Sequence, residues 1–219
     1  MAYDPSFDTD DSAVPAAVRI FFKKRLFELA GGLTFTLLIT IGVALATWSV
    51  DDPSLDHALD GKARNWLGYP GAVVADELMQ FFGLGVLPLI AVPMAWAVRF
   101  ASHQGIRRPL RSIGAWLAGA LCFSAALSAL PVPASWSLAA GLGGNAGDVV
   151  HNLLLMLLSI GLTGSLAALA AGAAMLAAAA YLCLRAGGWG REDVAAEAGS
   201  IGRTGRDAMV NALGGLQHL

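Results

Sequence analysis

Charge is what this chain has least of. Asp, Glu, Lys and Arg make up 14% of its 219 residues against 56% hydrophobic residues, and the mean hydropathy is +0.62. A soluble domain is about a quarter charged, because its surface must be solvated, so the composition argues against a water-soluble enzyme. Two cysteines are too few for a disulfide scaffold. Glycine has no three-residue period, which excludes a collagen-like chain, and the apolar content is too high for disorder. A net charge of −2 gives no general attraction to nucleic acid. Motifs are missing as well. GxxxxGK[ST], HExxH and CxxC do not occur, so nothing here cradles ATP phosphates or holds zinc by a standard spacing. His57, His103, His151 and His218 are scattered, and Cys122 and Cys183 fall in apolar stretches where they read as small packing residues. A multi-pass membrane protein remains.

Uncharged stretches long enough to cross a bilayer core, about 20 residues, define the spans. They run over residues 29–48, 80–98, 112–130 and, within the long apolar region Val149–Leu184, 165–184. That last region permits two readings: two spans joined near Thr163-Gly164, or an interfacial helix from Gly147 to about Gly161 followed by one span. The placement of Lys and Arg decides between them, since cytoplasmic loops carry the excess. With four spans and a cytoplasmic N-terminus, Arg19, Lys23, Lys24, Arg25, Arg99, Arg107, Arg108, Arg111, Arg185 and the tail arginines fall inside, and only Lys62 and Arg64 fall outside. A fifth span would move the tail outside and spoil the bias. Asp76 and Glu77 cost about 2.5–3.5 kcal/mol each at mid-membrane, so residues 72–82 are expected as a second interfacial helix. The expected fold is therefore all-α, with four transmembrane helices, two short extracytoplasmic interfacial helices and both termini cytoplasmic.

Residues 1–18 read as a disordered cytoplasmic lead with four Asp and two Pro, 19–190 as the membrane domain, and 191–219 as a juxtamembrane segment or the start of a linker. The basic cluster precedes a full-length span with no small-residue cleavage site, so it is not a signal peptide. Within the spans, Thr34, Thr36, Thr40, Ser124 and Ser128 read as hydroxyls that bond across helices or back to the i−4 carbonyl. The small residues Gly114, Ala118, Cys122 and Ala125-Ala126 line one side of the third span, and Gly161, Ser165, Leu169 and Ala173 partly repeat this in the fourth. Such stripes suit helix contacts within one copy or between copies. No ionisable residue lies within the spans, which disfavours a transport pathway, and no nucleophile and base are paired there. A small transporter or channel subunit is the alternative.

Two loops carry a more specific pattern. Asp52-Pro53-Ser54 follows the first span. Then come Asn65, Gly68, Gly71, Ala72, Ala75 and Asp76, and Phe82-Gly83 enters the second span; Gly143-Gly144 and Gly147-Asp148 precede the last helix pair, where Asn145 or Asp148 could cap a helix. In this order the pattern, covering roughly residues 19–190, resembles the N-terminal membrane domain of the FtsK/SpoIIIE family of septal DNA translocases.

The resemblance implies a non-catalytic anchor and assembly domain in the bacterial inner membrane at the division septum. It implies contacts with membrane lipids, with division-site proteins and with further copies, six by analogy with the family's hexameric motor. That ATP- and Mg-dependent motor, which would supply the contact with DNA, follows a long linker in the family. The present sequence stops at Leu219 before any nucleotide-binding motif and is expected to be a fragment, a truncated product or a stand-alone anchor. No cofactor is expected for these residues.

Overall fold

The computed structural model describes residues 16–55, 62–106, 108–138, 140–158 and 164–189, and among them there is no strand. Six α-helices follow one another: α1 Ala16–Ala46, α2 Gly68–Phe82, α3 Val86–Ala101, α4 Pro109–Ser128, α5 Gly144–Leu158 and α6 Gly164–Gly187. A single 3-10 turn, Gly83–Gly85, joins α2 to α3. Among the described residues, four helical segments are long and apolar enough to cross a membrane: Val18–Ala46, the composite Gly68–Ala101, Pro109–Ser128 and Gly164–Gly187. At 15 residues, α5 rises only about 22 Å, short of a core about 30 Å thick. Among the described residues, Val149–Leu184 thus holds one segment of crossing length, α6.

Helix limits differ from expectation where a local signal was weak. The first helix begins at Ala16, so residues 16–18 of the expected lead form its first turn, while residues 1–15 and the tail 191–219 lie outside the described residues. The helix expected from residue 72 begins at Gly68. Pro70 is no obstacle in a first turn, where its missing N–H has no partner to lose. Asn65 sets up the start: its Oδ1 accepts the Leu67 N–H at 3.1 Å, and its carbonyl accepts the Gly68 N–H at 2.8 Å.

The helices pair unevenly. α4 packs most extensively on α6, α1 lies mainly on α3, and α5 lies chiefly on α4. The seam of α6 is the small stripe Ala167, Ala171, Ala179 and Ala186, while Ser165, Leu169 and Ala173 are exposed and Gly161 lies outside the described residues. On α4, Gly119, Ala120, Ala125 and Ala126 are buried. A Cβ on Gly119 would meet Cys183 Sγ at 2.7 Å, whereas one on Gly114 would meet nothing. The expected small-residue stripes are thus only partly the packing faces: the true seam lies one or two residues round each helix, which composition could not resolve among so many alanines.

All four crossing segments share one basic end, where α1 and α4 start and α3 and α6 finish. Arg19, Lys23, Lys24, Arg25, Arg99, Arg108, Arg111 and Arg185 all belong to it, whereas Arg107 lies outside the described residues. Glu28 pairs with Arg25 and accepts from His103 at 3.0 Å, tying α1 to the chain after α3. Trp96 Nε1 donates to the Ala186 carbonyl at 2.7 Å, one of the last-turn carbonyls that a helix cannot satisfy itself. The Gly188 N–H bonds Arg185 O at 3.3 Å and the Trp189 N–H bonds Leu184 O at 3.0 Å. Gly188 has φ +87°, which completes a Schellman stop. Trp96, Val92 and Ala186 form a buried cluster flanked by Phe100, Ile106, Ala115, Trp116 and Cys183.

Candidate functional site

At the opposite, far end, the loop after α1 folds onto buried polar side chains. Asp52 is buried and accepts two backbone N–H groups, from Arg64 at 2.7 Å and Asn65 at 3.0 Å. A carboxylate holding two backbone donors fixes a loop more firmly than neutral acceptors do, because charge-assisted bonds are about twice as strong. Asn65, also buried, donates from Nδ2 to the Ala44 carbonyl at 2.7 Å, satisfying an orphan in the last turn of α1. Thr47 Oγ1 donates to Val43 O at 2.8 Å and accepts the Trp66 N–H at 3.3 Å. Gly71 has no room for a side chain: a Cβ there would collide with Asn65 Oδ1. Ala72 and Ala75 are buried on the same helix face.

Of the two acidic side chains of α2, Asp76 is the one that turns inward. It is 7% exposed, accepting from Trp48 Nε1 at 3.2 Å and Gln80 Nε2 at 2.8 Å, while Glu77 beside it is exposed. Asp76 therefore joins the end of α1 to the middle of α2. Pro53 is half-buried, and Ser54 is buried with no hydrogen-bond partner for its hydroxyl.

A second set of contacts lies about two helix turns beyond Asp76. Gly83 (φ +55°) and Gly144 (φ +66°) both adopt the left-handed region that favours glycine, and they meet backbone to backbone. A Cβ on Gly144 would lie 2.5 Å from Gly83 N, and one on Gly83 would strike the Leu142 carbonyl. That carbonyl accepts the Leu84 N–H at 2.9 Å. Ser124 of α4 is the post around which the crossing is built. It is 0% exposed and donates to the Phe82 carbonyl at 3.1 Å. Side chains on Gly85, Gly143 or Gly147 would all run into Ser124. Ser128 Oγ donates back to Ser124 O at 3.3 Å. Asp148 lies past the helix start, where its carboxylate reaches back to the Gly141 N–H at 3.3 Å. It anchors the preceding turn rather than acting as the residue at the cap position.

The geometry thus divides the motif residues into two groups. Asp52, Asn65, Gly71 and Asp76 tie α1, its loop and α2 together; Gly83, Gly143, Gly144 and Gly147 form the crossing with α4, with Phe82 supplying a carbonyl. Sequence reasoning named Ser124 only as a helix-contact hydroxyl and passed over Gly85, Thr47, Trp48 and Trp96. A serine packed against Gly85, Gly143 and Gly147 has no sequence signature, because these glycines lie up to 62 residues apart in the chain. Among the described residues no group of three His, Cys, Asp or Glu side chains could hold a metal ion. What this arrangement can do is lock helices at fixed crossings.

Comparison with known proteins agrees with this architecture. The family described as the 4TM region of DNA translocase FtsK/SpoIIIE matches residues 23–186. DNA translocase FtsK of Agrobacterium fabrum is 36% identical over 189 residues, covering 85% of this chain and 20% of its own length. The Brucella suis protein of the same name is 40% identical over 153 residues, 68% of this chain and 18% of its own. That of Caulobacter vibrioides is 36% identical over 135 residues, 59% and 16%. The chain therefore spans a fifth or less of the length of these relatives, and the family match is to their membrane region, not to a motor. No solved structure matches. With the four crossing segments and the match over residues 23–186, the chain belongs to the family of the four-transmembrane region of FtsK/SpoIIIE DNA translocases.

Proposed function

We propose that this chain is a non-catalytic membrane anchor and assembly domain of an FtsK-type DNA translocase, serving cell division and chromosome segregation at the septal inner membrane. The observation that carries the reading is the coincidence of two limits: the family match runs from residue 23 to 186, and the crossing segments run from Val18 to Gly187. The gathering of basic residues at the end shared by the start of α1 and the finish of α6 supports cytoplasmic termini through the positive-inside rule. A linker leaving Trp189 would then enter the compartment that holds the chromosome. ATP, Mg and DNA belong to the motor of the full-length relatives. For these residues the partners are lipids, division-site proteins and further copies of the chain.

A fluorescent fusion of residues 1–219 tests the targeting. A band at the division site is expected, and a uniform membrane signal would remove septal localisation from the reading. Reporter fusions after Leu219 and impermeant labelling of a cysteine placed at Ser135 test orientation. The expected pattern is a cytoplasmic fusion and an externally labelled loop; the reverse would overturn it. Crosslinking in native membranes tests self-association, and monomers alone would count against assembly.

A further inference from the structure

The helices themselves measure the depth of the glycine crossing. From Arg111 to Ser124 in α4, and from Arg99 back to Gly85 at the start of α3, the rise is about 20 Å at 1.5 Å per residue. That is two thirds of a hydrocarbon core about 30 Å thick. The fourth crossing segment runs on, since Gly164 lies about 32 Å from Arg185 along α6. With the cations of α3 and α4 at one boundary, the crossing lies about 10 Å beneath the other. α2 gives an independent check. Asp76 and the exposed Glu77 come about 10 Å before Gly83 along the helix, which sets them at the far boundary, where carboxylates are tolerated.

α5 leaves from this same depth, because its first residue is Gly144. Its Val149, Leu153 and Leu157 are exposed and stand four residues apart, forming one stripe. The backbone at the crossing is also treated as hydrocarbon requires. Irregular chain at membrane depth survives only where the protein itself satisfies its polar groups. Here Phe82 O takes the Ser124 hydroxyl, Leu142 O takes the Leu84 N–H, and the Gly144 and Gly147 N–H groups bond Gly141 O and Gly143 O at 3.0 and 3.2 Å.

We propose that α5 is a re-entrant helix: it begins inside the membrane at the glycine crossing and runs obliquely within the leaflet remote from the basic residues, with its Val149, Leu153 and Leu157 stripe against lipid acyl chains. This rests on the reading that α1, the composite α2–α3 segment, α4 and α6 cross a membrane. It moves the glycine-rich turn Gly141–Asp148, which the four-span topology set outside the bilayer, to a position within it, with the half-buried Asp148 carboxylate held on the Gly141 N–H. The far leaflet then holds α2 and α5 in addition to the crossing helices, so the domain is broader there than in the near leaflet.

Spin labels on single cysteines at Val149, Leu153 and Leu157, in a Cys122→Ala, Cys183→Ala chain reconstituted in liposomes, test the proposal. The exposed Leu169 of α6 serves as the lipid reference and Ala134 as the water reference. The expected result is an oxygen-to-nickel-chelate collision ratio that matches Leu169 and exceeds Ala134 several-fold at all three positions. Ratios matching Ala134 would overturn it. The unaltered chain gives a second readout through lipids carrying a diazirine in the acyl tail. Adducts on α5 as well as on α1 and α6 are expected. Adducts on α1 and α6 without α5 would sink the re-entrant helix alone, whereas none on α1 or α6 would sink the membrane reading beneath it.

Discussion

At the basic end α3 and α6 meet through side chains, with the Trp96 indole on the Ala186 carbonyl and the Arg99 guanidinium over Gly188. At the far end the meeting groups are backbone, Gly83 against Gly144 and Gly143 and Gly147 against Ser124. The two joints place the same constraint on helix position, but they differ in what they tolerate. An indole can be trimmed to a phenyl ring that keeps most of the contact, and Trp96 has the neighbouring Trp116 ring 5.4 Å away to pack on. Two glycines in van der Waals contact have nothing to trim and no space to add to. The loop after α1 lies between these extremes: its contacts are side chain to backbone, so each can be removed singly, but each leaves a buried group behind.

That gradient predicts an order of sensitivity. The largest effect belongs to Gly144→Val, which adds a left-handed backbone penalty of about 1–3 kcal/mol to an overpacking cost of similar size, about 1–3 kcal/mol. Loss of monodisperse protein in detergent is expected, and a thermal midpoint close to that of the parent would break the comparison at its base. Next is Asp52→Ala, which strips the acceptor from two N–H groups and is expected to cost about 1.5–3 kcal/mol in the unfolding free energy. Its control is Asp51→Ala, which removes only the exposed pair with Arg64 and should stay within about 1 kcal/mol. Equal losses for the two would mean that the loop is held by charge and not by backbone capping.

Trp96→Phe comes third, at about 0.5–1.5 kcal/mol for the bond to Ala186. A loss as great as that of Gly144→Val would show that the two joints do not differ in tolerance after all. The smallest effect is expected for Gly114→Ala, where a Cβ meets nothing. It should stabilise the helix by about 0.5–1 kcal/mol in thermal melts of the purified domain. A clear destabilisation that appears only at high protein concentration would place that face of α4 against a second copy.

Much of the fold could be read from composition and spacing. Spans of about 20 uncharged residues and a one-sided basic pattern follow directly from bilayer thickness and the cost of charge in it, and among the described residues four helical segments are long and apolar enough to cross. Helix starts were less legible. Gly68 and Pro70 read as loop residues because propensity weighs each residue alone, whereas Asn65 capping the turn at Leu67 is a relation between residues. The small-residue stripes match the seam within one copy only in part, for a similar reason. In α6 nearly every position is Ala, Gly or Leu, so any of several faces satisfies the spacing, and only the partner helix selects Ala167, Ala171, Ala179 and Ala186.

The site divides in the same way. Glycines and carboxylates that break an apolar run are conspicuous in a sequence this short of polar groups, so Asp52, Asp76, Gly83 and Gly144 could be singled out as positions of interest. Their partners could not. The sequence by itself determined the class of the molecule, the number of crossings and the end at which its cations gather, because those depend on sums over twenty residues against a solvent of fixed thickness. Tertiary structure alone decided that Gly85, Gly143 and Gly147 close on Ser124 while Gly83 meets Gly144. Convergence depends on three helices approaching within a van der Waals radius, and no local pattern encodes a distance between segments that are remote in the chain.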